Sequence, residues 1–380
     1  GSTLELHVLK DHENKMYKPQ WPLEEKFLPA IKEQMNTWIK NGVIQPAPPG
    51  TPYNSPIFCV RKKTSTGEYA AGSYRVVVDC RAVNAALDPD KSDRFPFPLI
   101  STLHRKMSKH SIFTVLDLSQ CFHSFRIMSS SRKYLSFVDP TTGLQWSFKN
   151  CPMGLLPISS FVQRHLTHLF SDLGSVTTNF IDDITVHTES DMETHLKYVK
   201  QVIDRLTKAN LKINHAKTHF AQRSINILGF CLSETGLALD SRKVSNVLDW
   251  DPRVANSKEL QSRLGLINYF RGNLPRLSTL TAPLDAIKNA PDINKVWTEE
   301  HTIAMTNIQQ LLVSSPIISA PNLAHPFCLV TDSSAYGIGA CLYQVINKRI
   351  FYNGFIARKL SPSEQRYGSS KRELLAVVYA

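Results

Sequence analysis

No stretch of the 380-residue chain approaches the uninterrupted apolar run, about 20 residues, that a membrane-spanning helix requires, and no secretory signal is visible. No membrane partner is expected. Cysteine is sparse: Cys59, Cys80, Cys121, Cys151, Cys231, Cys328 and Cys341 are odd in number, scattered and never in a C-x-x-C pair. That pattern argues against a disulfide framework or a zinc site and fits a reducing interior. Internal repeats and low-complexity tracts are also missing, which removes solenoid arrays from consideration. What the chain does have is length, enough for two or three compact units, and an ordinary globular balance of 42% hydrophobic and 20% charged residues. It also has a surplus of positive charge. Forty-four Lys and Arg against thirty-two Asp and Glu give +12, which suits a polyanionic partner such as nucleic acid. A protein that is simply basic would look the same, and composition leaves the two readings level.

Changes in hydrophobic period divide the chain into three regions. The first, to about Ser233, mixes short β-like runs with helices. Ile57 to Arg61 and Tyr74 to Asp79 are apolar or β-branched runs joined by a polar connection, Lys63 to Ser73, and read as a hairpin. Ile158, Phe161, Val162, Leu166, Leu169 and Leu173 recur at helical spacing, which predicts a helix from Pro157 to Leu173, with Pro157 in its first turn and Gly174 at its end. Ser190 to Asn210 repeats the pattern with Leu196, Val199, Ile203 and Leu206, and Asp191 and Glu193 sit where the helix dipole favours negative charge. The second region, about Glu234 to Ala320, reads as mostly helical, with Leu260, Leu264, Ile267 and Phe270 on one face. The third holds a strand-like Phe327 to Thr331, a run from Gly337 to Leu342 and a helix-like Ser369 to Ala380.

The sharpest local signal is Phe180-Ile181-Asp182-Asp183, adjacent carboxylates between apolar residues, followed by Ile184, Thr185 and Val186. A tight β-hairpin presents acidic side chains at its tip in this way, and a divalent cation between them offsets their repulsion. Asp-Asp is equally common in solvated turns. Asp117 closes the run Ile112 to Leu116, a buried-type strand with one carboxylate at its end, although a cap or turn residue would look alike. Together Asp117, Asp182 and Asp183 can form the cluster that holds two Mg²⁺ ions, roughly 3.5–4 Å apart, for in-line phosphoryl transfer. Hard oxygen ligands suit Mg²⁺, and Mn²⁺ is able to substitute.

From about Pro19 onward, ordered blocks resemble the reverse transcriptase of gypsy-type LTR retrotransposons and, more distantly, of retroviruses. Ser55 to Lys63 and Tyr74 to Asn84 resemble the first fingers strand and its return; Phe113 to Ile127, Cys151 to Gln163 and Phe180 to Asp183 resemble the catalytic blocks; Leu211 to Phe220 and Ile227 to Ser233 resemble the blocks that close the palm. The resemblance implies an α+β right-hand polymerase: fingers and palm over 1–235, a helical thumb or connection over 236–320, and the truncated αβ start of a ribonuclease H domain over 321–380. It makes Asp117, Asp182 and Asp183 the metal ligands, Asp183 the least direct. Lys62 and Arg75 fall where the family grips the incoming deoxynucleoside triphosphate, and backbone amides of Gln120 and Cys121 contact phosphates. A solvated basic hairpin would also contain Lys62 and Arg75.

On the same resemblance Phe122 stands beneath the sugar and excludes a 2′-hydroxyl by bulk, where residues alone would make it a core aromatic. Gly154 lets nucleotide or template approach the backbone; beside it Met153 departs from the aromatic or Gln that the family carries, which unsettles the contacts near the sugar. Lys217 matches a basic residue that protonates pyrophosphate. Arg81 falls in the template and primer path, and Leu228-Gly229-Phe230 resembles the primer grip. Leu264 to Arg271 is similar to the thumb. Thr331-Asp332-Ser333-Ser334 with Gly337 to Ala340 resembles the opening of ribonuclease H, and Lys371 to Ala376 its first helix, which makes Asp332 and Glu373 two of its ligands. Expected partners are an RNA template, a DNA primer, RNA–DNA hybrid and deoxynucleoside triphosphates, in cytoplasm, within a virus-like particle and as part of a processed polyprotein. Two rivals remain at this stage: a domesticated element protein that binds nucleic acid or a protein partner without polymerising, and a palm-type RNA polymerase. Three intact carboxylates speak against the first, Phe122 and the ribonuclease H start against the second. The truncated segment 321–380 is expected to be loosely held or to rest on the thumb, and the chain to polymerise without degrading RNA.

Overall fold

The computed structural model describes residues 3–63, 69–189 and 191–380. The chain forms two compact units, one from Gly1–Pro98, Thr114–His187 and Met192–Phe220, the other from Leu99–Phe113, Thr188–Asp191 and Ala221–Ala380.

In the first unit the expected hairpin forms from strands Ile57–Lys63 and Tyr69–Val78, paired antiparallel from Ile57↔Val78 to Arg61↔Tyr74. The strands run further than the sequence suggested. Tyr69 to Ser73, read as connection, is strand, with Gly72 at φ 66° and a register shift between Arg61 and Lys63; the rest of that connection, 64–68, lies outside the described residues. A four-stranded sheet carries the order His219–Gln222, Ile112–Asp117, Asp183–Thr188, Thr177–Phe180. Leu116, Ile184 and Val186 point into a core shared with Val162, Leu166, Val199, Val202 and Leu206 of two helices. The near-continuous apolar run of Ile112–Asp117 is what a central strand buried on both faces needs. Its one internal hydroxyl, Thr114, meets His195 Nε2 at 2.8 Å.

Both helices of this unit are shorter than their periodicity predicts. The first spans Ile158–Leu169, with Pro157 as its N-cap, and Ser171–Leu173 is a separate 3-10 turn in which Gly174 keeps a right-handed φ of −58°. The cause lies in the second helix, Met192–Lys208. Its Arg205 donates to the Leu169 carbonyl oxygen at 2.9 Å and pairs with both oxygens of Asp172, taking the acceptor that a further helical turn would use. That second helix begins two residues after Ser190, which lies outside the described residues, and Asn210 follows it in the left-handed region at φ 59°.

In the second unit the region read as mostly helical opens on a strand instead. Gly236–Leu239 completes a meander with Ser224–Ile227 and Phe230–Ser233, its Leu237 and Leu239 buried. Four residues are too short a run for period-two alternation to stand out. Helices follow at Ser241–Leu248, Ser257–Tyr269, Leu277–Ile287 and Glu299–Val313. Leu260, Leu264, Ile267 and Phe270 are buried as expected. The C-terminal strands Cys328–Ser333, Gly337–Ile346 and Arg349–Lys359 form an antiparallel meander, the last of them unanticipated, with helix Ser369–Tyr379 against it. This sheet rests on helix Leu277–Ile287. A side chain at Gly337 would meet Ser278 Oγ at 2.7 Å, and Lys359 Nζ reaches Asp285 at 2.5 Å.

Candidate active site

Asp117 closes its central strand, and the Thr177–Phe180 and Asp183–Thr188 strands reverse through Ile181-Asp182 beside it, so one carboxylate ends a strand while the other two sit in the turn and at the first strand residue of the adjacent hairpin. The reversal needs Ile181 at φ 56°, a left-handed conformation that costs a β-branched residue roughly 1–2 kcal/mol. Gln163, buried in the helix Ile158–Leu169, holds it there. Its Oε1 accepts the Ile181 N–H at 2.7 Å and its Nε2 donates to the Asn179 carbonyl oxygen at 3.2 Å.

Asp117 and Asp182 line one cleft of about 340 Å³ with Lys62, Arg75, Gln120, Cys121, Phe122, Met153 and Lys217, so most of the sequence-predicted residues converge. Asp183 is not among the lining residues. Lys217 Nζ stands 3.7 Å from Asp117 Oδ2, brought there by the Leu211 to Lys217 segment, whose Asn214 N–H donates to the Asp117 carbonyl oxygen. Burial, then the neighbouring Asp182 and Asp117, push Asp183 up to about 6; burial and Asp117 also raise Asp182, against the pull of Lys217. The Cys121 thiol is pushed up to about 12 by burial and the same two carboxylates, which keeps it protonated.

Burial and neighbouring negative charge raise the proton affinity of Asp182 and Asp183, a burden that a divalent cation would relieve, and hard carboxylate oxygens suit such an ion. In that sense the residues fit the divalent metal that this site implies. As they stand, among the described residues, no three His, Cys, Asp or Glu side chains converge closely enough to hold an ion.

Gln120 is left-handed at φ 49° and starts the 3-10 turn Cys121–Ser124, while Phe122 is half-buried against the core. Gly154 takes φ 91°, which excludes other residues more firmly than the need for space does. Asn84 braces its loop, donating to the Gly154 carbonyl oxygen at 2.9 Å and accepting from Leu156 N at 2.8 Å. Sequence reasoning missed Gln163 and Asn84 as supports. It also missed Gln34, Trp38 and His123, which line the same cleft. A polar Gln on the otherwise apolar buried stripe of its helix was the one available signal.

Arg81 does not line this cleft: it makes a two-pronged bond to Asp79, at 2.8 and 2.6 Å, beside a depression lined by Lys18 and Trp21. Leu228, Gly229 and Phe230 form a tight turn in the second unit. There too Asp332 pairs with Arg276 at 3.3 Å, and Glu373 Oε1 accepts from Ser333 Oγ at 2.7 Å, so each expected ribonuclease H carboxylate is engaged by a different side chain.

Strands that present three carboxylates, preceded by a basic hairpin and followed by helices and a separate αβ sheet, define the right-hand polymerase fold. The foamy viral protease-reverse transcriptase dRH in complex with double-stranded DNA superposes with a TM-score of 0.80 at 21% identity, over 96% of this chain and 61% of that one. The same viral protein with an RNA/DNA hybrid gives 0.76 over 96% and 47%. Residues 60–232 match the family described as reverse transcriptase (RNA-dependent DNA polymerase), and residues 297–380 match the RNase H-like domain found in reverse transcriptase. The Tf2-3 and Tf2-7 transposon polyproteins of Schizosaccharomyces pombe are each 31% identical over 361 residues, 94% of this chain. The chain spans about a quarter of the length of these curated relatives, 26%. The chain thus carries a reverse transcriptase domain over 60–232, followed by an RNase H-like domain over 297–380. Dependence on divalent metal is general in that family, and no helix among the described residues is long and apolar enough to cross a membrane.

Proposed function

We propose that this chain is an RNA-directed DNA polymerase that extends a DNA primer on an RNA or DNA template. The observation that carries the reading is the single cleft in which two of three mutually repelling carboxylates face Lys62, Arg75 and Phe122. Asp117 and Asp182, with Asp183 behind them, would hold two Mg²⁺ ions, which supply a lowered pKa for the primer 3′-hydroxyl and charge relief for the leaving pyrophosphate. Arg75 offers a planar fork and Lys62 a point charge to the triphosphate oxygens, and the amides of Gln120 and Cys121 add neutral donors. Lys217, released from Asp117, is placed to give a proton to pyrophosphate. Phe122 and Met153 bound the sugar, and Gly154 leaves room for the base pair. Arg81 and the Leu228–Phe230 turn contact template and primer, and the basic surface neutralises phosphates. In this reading 1–235 are fingers and palm, 236–320 the thumb or connection and 321–380 the RNase H-like start, released from a polyprotein inside a cytoplasmic virus-like particle.

The test is primer extension with Mg²⁺ on RNA and DNA templates. Asp182→Asn should lower the rate at least about a thousandfold while primer–template affinity stays within about twofold, since carboxylates serve metal and cations serve the duplex. Binding without extension by the unaltered chain would favour a retained binding module instead.

A further inference from the structure

The turn Leu228-Gly229 is held from outside its own hairpin. Between the strands Ser224–Ile227 and Phe230–Ser233 the chain reverses in two residues, both left-handed, at φ 50° and φ 80°. Glycine takes this conformation freely, whereas leucine pays a steric cost, so the turn persists only where its surroundings fix it. Those surroundings are the end of helix Ser257–Tyr269. The Tyr269 hydroxyl donates to the Leu228 carbonyl oxygen at 2.6 Å, and its ring edge stands 3.3 Å from where a Cβ on Gly229 would lie. Next in the chain, Phe230 packs its ring 5.7 Å from Tyr269, 5.3 Å from Phe270 and 4.6 Å from His104. Tyr269 is 42% exposed, so water could satisfy its hydroxyl; that it meets one carbonyl of a strained turn is a matter of aim, set by the helix.

We propose that Tyr269 is a positioning residue whose hydroxyl locks the Leu228-Gly229 turn to the helix Ser257–Tyr269, so that turn and helix meet the nucleic acid as one rigid piece. The inference rests on the polymerase reading, in which this turn receives the primer's 3′ end. Placement of a reacting hydroxyl is sensitive to small displacements, so loosening the turn should cost rate more than affinity.

Tyr269→Phe removes a single half-exposed oxygen and leaves the ring stack in place. Its single-turnover rate of first-nucleotide addition should fall about tenfold, the scale of one hydrogen bond. Primer–template Kd, nucleotide KM and Tm should stay as in the unaltered chain. A 2-aminopurine at the primer 3′ terminus should brighten in the binary complex as the terminal base loses its fixed seat. Gly229→Ala, which drives a methyl at the Tyr269 ring and puts a Cβ on a left-handed residue, should show the same loss of rate and gain of fluorescence, together with a lowered Tm. Tyr269→Phe with unchanged rate and unchanged fluorescence would overturn the lock. So would a rate loss in that variant that merely follows lowered Tm and weakened duplex binding, the mark of a general packing role. If the unaltered chain fails to extend a primer, the polymerase reading itself fails, a result separate from either outcome.

Discussion

Phe122 and His104 show how differently two half-hidden or hidden rings can matter. Phe122 lines the cleft and also packs on the core, so its bulk stands at the site while its back is fixed. Phe122→Ala should raise incorporation of ribonucleotides relative to deoxyribonucleotides by about tenfold or more, since one lost steric exclusion is worth over 1.4 kcal/mol; equal discrimination ratios in competing-substrate assays would return it to the core. His104 is buried against Phe230, and burial lowers its pKa from 6.5 to about 4. Above pH 6.5 both folded and unfolded forms are neutral there and nothing is lost. As pH falls from 6.5 towards 4 the unfolded chain takes up a proton that the fold refuses, so stability drops by up to roughly 3 kcal/mol. His104→Leu should flatten that part of the stability curve, measured by urea unfolding at pH 7, 6, 5 and 4.

At the scale of the element, the hairpin that carries Asp182 and Asp183 is not self-sufficient. Its turn holds a β-branched residue at φ 56°, and the Gln163 side chain pins both flanks from a helix. Gln163→Met keeps the volume and removes both bonds, leaving the Ile181 N–H without its acceptor. We expect a loss of about 1–3 kcal/mol in stability together with a lowered kcat at unchanged primer–template affinity. Thermal unfolding and steady-state extension check it; a lowered Tm with unaltered kcat would make Gln163 a packing residue only. Helix Ile158–Leu169 shows the same dependence, since its end is decided by Arg205 of another helix and lies four residues short of the apolar repeat.

At the scale of the whole molecule, the RNase H-like sheet is tied to the helix it rests on. Arg276 occupies the Asp332 carboxylate, Asp285 holds Lys359 and Lys288, and Glu373 is engaged by Ser333. Two engaged carboxylates do not make the multi-carboxylate cradle that hydrolysis of a phosphodiester needs. A labelled RNA–DNA hybrid incubated with the chain and Mg²⁺, without nucleotides, should therefore stay intact. Metal-dependent RNA cleavage that disappears in Asp332→Asn would show the prediction wrong.

The sequence by itself determined whatever is local or ordered along the chain. Asp182 and Asp183 are neighbours, Asp117 ends an apolar strand, and the succession of blocks carries the family resemblance; each depends on spacing alone. Only the tertiary structure decided what holds these pieces at their working geometry. Gln163 reaches Ile181 across 18 residues, Tyr269 reaches Leu228 across 41 and Asn84 reaches Leu156 across 72. Hydrophobic period reports which face of an element is buried, but a hydrogen bond needs a particular atom at about 3 Å in a particular direction. That direction is set by how helices and strands pack, so the carboxylates were legible in the sequence and their supports were not.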